Sequence, residues 1–161
     1  MFKSPDQALA FAFRIRRSDV VSLPSGTYIA QKTDHQHSSQ RLTQYDKHAQ
    51  VGMIFAWLSR RPEDEQAYAF YLHGTIEERK AAASLIKQQH RKVLDKYKLD
   101  DTQICNAILG RSVRDVSAAS GLSQYKAWKL RRDLAEIFEP VQMRLMTAMQ
   151  EDLIDRQAPL D

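Results

Sequence analysis

The sequence predicts an all-α protein, a multi-helix single body, on three observations. Helix-start residues recur along the chain: Ser4, Thr43, Thr75, Asp100 or Asp101, Ser112 and Ser123 each stand just before an apolar run, where a short side-chain oxygen can accept from the first unpaired N–H groups of a helix. After each start, apolar residues return at spacings of three and four, the period of one helix face. β-Branched residues gather only in Val20 to Ala30, where Pro24 and Gly26 break the period, so that stretch reads as a loop or at most a short hairpin. No sheet of three or more strands is expected.

Composition narrows the function. At 161 residues the chain can build one sizeable core, or two small helical units sharing one. Hydrophobic content of 43% with 27% charged residues is that of a globular protein, and no run approaches the roughly 18 apolar residues of a membrane span. The opening MFKSPDQALAF has no apolar run leading to a cleavage site, so a cytoplasmic location and no membrane are expected. The single cysteine, Cys105, cannot form an internal disulfide and falls in an apolar helical segment, as a small buried hydrophobe does. Five glycines are scattered without a phosphate-cradling loop, and no nucleophile motif or motif pair of carboxylates stands out. Neither an enzyme nor a bound cofactor or metal is expected. A net charge of +4 and a pI near 9.2 permit nucleic-acid binding without requiring it.

In chain order, Ser4-Pro5-Asp6-Gln7 combines an N-cap serine, a proline at the first helical position, an early acid and a capping-box glutamine. It starts a helix from Pro5 to about Arg17 with Ala8, Leu9, Ala12, Phe13 and Ile15 or Arg16 on its apolar face. Arg14, Arg16 and Arg17 close it, as a solvated end or a phosphate contact. Residues 31 to 40, QKTDHQHSSQ, contain no apolar side chain and form the best polar loop in the chain. His35 and His37 there lack a third ligand nearby, so no metal site is expected. Thr43 and Asp46 cap a second helix, Gln44 to about Arg60, with Tyr45, Ala49, Met53, Ala56 and Trp57 along one side and His48 beside them. Arg61-Pro62-Glu63 opens a third, ended by Gly74.

Thr75 and Glu78 make a capping box for the next helix, where Ala82, Ile86, His90, Val93 and Tyr97 recur at helical spacing. Arg79, Lys80, Lys87, Arg91, Lys92 and Lys96 fill its other face, solvated or supporting DNA from the side. Asp100 or Asp101 caps a helix with Ile104, Cys105, Ile108 and Leu109 inward, closed by Gly110. After Pro140 a final amphipathic helix, Val141 to about Asp155, has Val141, Leu145, Met149 and Leu153 four apart with Met146 and Ile154 alongside. That stripe closes the core or pairs with a second subunit in a homodimer. The division expected is residues 1–74, a helical region with a polar loop, and 75–161, a helical region carrying the motif described next. The tail QAPLD frays.

The chain is organised around residues 112–138. Ser112 caps a short helix with Val113, Val116 and Ala119 on one stripe, and Gly121 sits where the chain must turn through a left-handed conformation. Leu122 plugs the gap between helices. Ser123 caps a helix in which Ala127, Leu130, Leu134 and Ile137 or Phe138 face inward, leaving Gln124, Tyr125, Lys126, Trp128, Lys129, Arg131 and Arg132 outward. From Arg111 to Phe138, Arg111, Arg114, Lys126, Lys129, Arg131 and Arg132 outnumber Asp115, Asp133 and Glu136, so the chain's excess charge is concentrated here.

On these residues, VRDVSAASGLSQYKAWKL resembles the helix-turn-helix of sigma-factor region 4, with Gly121, Leu122, Ser123, Ala127 and Leu130 in the turn and seating positions. LSRRPEDEQAYAFYLHGT is similar to the opening helix of such modules, although residues 76 to 112 here separate the two. Trp128 stands where the family carries a polar residue, leaving open whether it packs on a neighbouring helix or touches DNA. The resemblance implies a sequence-specific DNA-binding transcription regulator whose recognition helix enters the major groove. It implies Gln124 and Tyr125 at base edges, and Lys126, Lys129, Arg131 and Arg132 on phosphates, with Ser123 at the helix start and Trp128 beside them. More loosely, the small size of the chain and the HAQVGMIFAWLSRR stretch of the second helix are similar to bacteriophage and prophage late-gene regulators, including antitermination proteins, which implies RNA polymerase as a further partner met through the N-terminal helices. A helical protein-protein adaptor without DNA binding is the alternative.

Overall fold

A computed structural model describes residues 2–21 and 44–154. The polar loop at 31–40 with His35 and His37, most of the loop expected over 20–30, the Thr43 cap and the tail lie outside the described residues. All the regular secondary structure among the described residues is helical: α1 Pro5–Val21, α2 Gln44–Leu58, α3 Glu63–His73, α4 Ile76–Gln89, α5 Arg91–Leu94, α6 Asp101–Leu109, α7 Val113–Ser120 and α8 Gln124–Met149. A 3-10 turn, Asp95–Tyr97, follows α5, and a π-helical turn, Gln150–Ile154, follows α8. No strand occurs among them, and no helix among them is long and apolar enough to cross a membrane.

Local capping chemistry accounts for most helix starts. Thr75 with Glu78, Asp100 with Gln103 and Ser112 with Asp115 each form reciprocal capping boxes, which satisfy donors otherwise orphaned at a helix start. Ser4 Oγ accepts from Gln7 N at 3.4 Å. Of the glycines predicted to end helices, Gly121 has φ +70°, whereas Gly74 and Gly110 end α3 and α6 in extended backbone.

Two apolar clusters form the core. One joins α3, α4, α6, α7 and the first half of α8 through Ala83, Ile86, Leu94, Ile108, Val116, Ala127, Leu130 and neighbours. The other joins α1, α2, α3 and the second half of α8 through Leu9, Phe13, Ile54, Leu58, Ala69, Leu145 and Met149. Phe70, Tyr71 and Phe138 touch both, so α3 and α8 are the spine the two clusters share. Tyr71 stacks on Phe138 at 4.9 Å and donates to Ile108 O at 2.9 Å. Glu65, 1% exposed, accepts from Arg61 at 2.8 Å and meets Arg144 at 3.4 Å, an ion-paired link from α3 to the far end of α8.

Four expectations are corrected. The separate last helix does not exist: α8 runs unbroken from Gln124 through Pro140 to Met149. Proline removes one backbone donor, yet Phe138 and Val141 on either side of it are held in the core, and packing outweighs the missing bond. The expected stripe of α2 is not the buried one. Ile54 and Leu58 are buried, with Val51 and Phe55 packed beside them, while Ala49, Met53 and Ala56 are exposed and Trp57 is half-buried. Apolar residues lie nearly all round this helix, so its period is ambiguous alone and contact with α1 selects the side.

The helix after Thr75 does not continue to Tyr97. His90 leaves the helical region at φ −113°, ψ 24°, and the register shifts by one, so that Leu94 is buried and Val93 is exposed. Helix α1 runs four residues beyond the expected Arg17, and Arg16 turns inward, its guanidinium over Phe13, Phe55 and Phe70 and paired with Glu78. Elsewhere the expected faces hold. Ala8, Leu9, Ala12 and Phe13 are at most 1% exposed, and the stripe Val141, Leu145, Met149 closes the second cluster within the chain. Cys105 is half-buried, its Sγ 3.7 Å from Ser84 Oγ.

Candidate nucleic-acid interface

Helix α7, a three-residue turn and helix α8 follow one another as the sequence predicts. Gly121 takes the left-handed conformation and donates to Ser117 O at 2.9 Å. Leu122 packs on the first cluster, and its carbonyl accepts from Ser117 Oγ at 2.7 Å. Ser120, rather than Ala119, is the residue fully buried at the end of α7, its hydroxyl donating to Val116 O. Ser123 caps α8 by accepting from Lys126 N at 3.4 Å. Ala127, Leu130 and Leu134 are buried below, which orients the whole outer face of the helix.

At about 100° per residue, Tyr125, Trp128, Lys129 and Arg132 form a single outward stripe, and their contacts agree. Tyr125 and Trp128 stack at 6.3 Å, Lys129 lies over the Tyr125 ring and Arg132 over the Trp128 ring, both at 5.5 Å. Trp128 is 48% exposed and Tyr125 66%, so Trp128 is a surface residue of this stripe and not part of a core. Gln124 and Arg131 form one flank of the stripe. The Arg131 charge, with those of Arg79 and Arg111, partly offsets the burial that raises the Tyr71 hydroxyl pKa. Lys126 and Asp133 form the other flank.

On that second flank the 3-10 turn after α5 comes alongside α8. Lys96, Tyr97 and Lys98 face Tyr125, Lys126, Lys129, Arg132 and Asp133 across an open cleft of about 530 Å³. Asp133, 8% exposed, ties the two walls together, accepting from the Tyr97 hydroxyl at 2.5 Å and pairing with Lys96 Nζ at 2.6 Å. Burial pushes the Asp133 carboxyl up, but the hydrogen bonds from Lys96 and Tyr97 together outweigh it and hold the group below its ordinary value. Burial and the bond to Asp133 push the Tyr97 phenol the opposite way, so it stays protonated as a donor. Lys98, beyond the turn, sits at φ 52°, the one non-glycine left-handed residue among those described. Among the described residues Lys98, Lys126 and Lys129 have no carboxylate partner, whereas Arg132 pairs with Glu136 at 3.6 Å.

The residues singled out by sequence, Ser123, Gln124, Tyr125, Lys126, Trp128, Lys129, Arg131 and Arg132, therefore share one exposed surface, with Arg131 turned away from the cleft. Sequence reasoning missed Tyr97, Lys98 and Asp133. For Tyr97 and Lys98 the signal available was the short DKYKLD segment, too polar to continue a buried helix and ending on the Asp100 cap. The flanking cations of α4 are largely engaged elsewhere: Arg79 donates to Tyr71 O and Lys87 pairs with Asp101. Comparison of the chain with protein-family models, curated proteins and solved structures finds no match.

Proposed function

We propose that the chain is a sequence-specific DNA-binding transcription regulator that presents the first two turns of α8 to the major groove of duplex DNA. The observation that carries this reading is the exposed stripe and its flanks. Amide, phenol, indole and cationic groups cluster at the start of a helix whose opposite side is locked into the core. A helix entering the groove end-first meets bases with its early residues and phosphates with its later and flanking ones. Gln124, Tyr125 and Trp128 then read bases or pack on a thymine methyl. Lys126, Lys129, Arg131 and Arg132 neutralise phosphates. On the similarity to late-gene antitermination proteins the same reading includes RNA polymerase as a second partner, met through the N-terminal helices, in a phage or prophage setting.

One observation favours a second reading, a protein-protein adaptor: two stacked aromatic rings exposed on one helix face are the kind of anchor protein interfaces use. The two readings separate in one titration. For a regulator bound to a labelled duplex of arbitrary sequence, the logarithm of the affinity falls linearly with log salt, at a slope near −0.9 per phosphate neutralised. An adaptor shows no such binding. For the regulator, Gln124→Ala lowers preference for a selected site by about 1 to 3 kcal/mol at one base pair, and Arg131→Ala weakens all duplexes alike.

A further inference from the structure

We infer that the cleft between the 3-10 turn and α8 is a second contact to the same duplex, a seat for the phosphodiester backbone that borders the groove, with Lys98 as its outer cation. The inference rests on the proposed DNA reading and adds to it an element outside the recognition helix.

Three observations point to it. The cleft adjoins the outward stripe on one flank only, so a helix lying in a groove turns this cleft toward one of the two bordering backbones. Its volume, about 530 Å³, leaves room for a sugar-phosphate segment with its water. Its free charges have one sign: the Asp133 carboxylate is already shared by Lys96 and Tyr97, which leaves Lys98, Lys126 and Lys129 facing the opening. The backbone adds a fourth consideration. Lys98 occupies a left-handed position that glycine or asparagine would take with less strain, and residues held in such strain cluster at binding sites. The strained residue is here the one that carries the outer charge. Asp133 acts as a positioning residue, fixing the turn against α8 so that the two walls are set before a ligand arrives.

The test uses the full chain and a labelled duplex of random sequence about two helical turns long. Binding is titrated at several salt concentrations for the parent, Lys98→Gly, Lys98→Arg and Arg60→Gln, the last an exposed cation remote from the cleft. Glycine suits φ 52°, so Lys98→Gly keeps the turn while removing the charge. Its salt slope should be shallower than the parent's by about 0.9, the share of one phosphate, with a melting temperature no lower. Lys98→Arg and Arg60→Gln should keep the parental slope. An unchanged slope in Lys98→Gly, or an equal loss in Arg60→Gln, overturns the cleft while leaving the recognition helix intact. A parent that shows no salt-dependent binding overturns both readings together.

Discussion

Two left-handed residues flank the outer face of α8, and they make opposite predictions. At Gly121 a built Cβ meets nothing within 4 Å, so any penalty there is purely conformational. Gly121→Ala should cost about 1 to 2 kcal/mol, Gly121→Val more because β-branched residues tolerate positive φ least, and Gly121→Asn little. Urea denaturation of the three variants checks the order, and a valine variant as stable as the parent would remove the turn from this position. At Lys98 the side chain is the strained party, and Lys98→Gly should raise stability by on the order of 1 kcal/mol. Single residues of this kind were partly legible. Gly121 announced its conformation because a glycine between two capped helices is the commonest left-handed helix terminator. Lys98 did not, since nothing local in KYKLD demands a left-handed lysine. Asp133 was equally silent: its partners Lys96 and Tyr97 lie more than 30 residues back in the chain, across a contact between elements.

Among the elements, starts were far more legible than ends and faces. A cap is settled by residues three apart, as in Thr75 and Glu78 or Ser112 and Asp115, and those pairs are visible in any sequence. The buried side of α2 depended on α1, and the register shift at His90 depended on where Leu94 could be seated. Helix α8 shows the same limit in reverse, because Pro140 is a strong local stop signal that the two cores overrule. Pro140 is exposed, and proline inside a helix is about 3 kcal/mol less favourable than alanine. Pro140→Ala should therefore stabilise the protein, by up to about that amount, measured as a shift in the urea midpoint. A pH effect belongs to the contact between α1 and α3. His73 lies with its Nε2 3.4 Å from Asp6. Burial pulls its pKa below 6.5, and the nearby Asp6 carboxylate only partly restores it. The unfolded chain thus binds a proton that the folded one refuses, so stability is full above pH 6.5 and falls as pH drops through the lower folded value. His73→Gln should flatten that slope, and urea midpoints above and below pH 6.5 show whether it does.

At the scale of the whole molecule, the all-α class was legible from periodicity and caps, but the way the chain shares its core was not. The sequence reads as dividing near residue 74, whereas the second cluster unites α1, α2 and α3 with Val141, Leu145 and Met149 of α8. A fragment beginning at Thr75 would bare that stripe to water, and each fully exposed side chain of this size forfeits about 1.5 to 3 kcal/mol. Such a fragment should aggregate or lose helix beyond Pro140, seen as light scattering and reduced ellipticity per residue. The unbroken α8 also makes the molecule sensitive to rotational phase. Leu134 and Val141 are seven residues apart, nearly two full turns, so both buried stripes lie on almost the same side of one rod. One alanine inserted after Glu139 would twist everything beyond it by about 100°, swinging Leu145 out of the N-terminal core while the Gln124 end stayed in place. Seven inserted residues would bring the phase back but carry the stripe along the axis by about 10 Å. The angle at which the outer face of α8 is presented is therefore geared to the seating of α1 and α2, and chain length between Leu134 and Val141 can change only by breaking that gear.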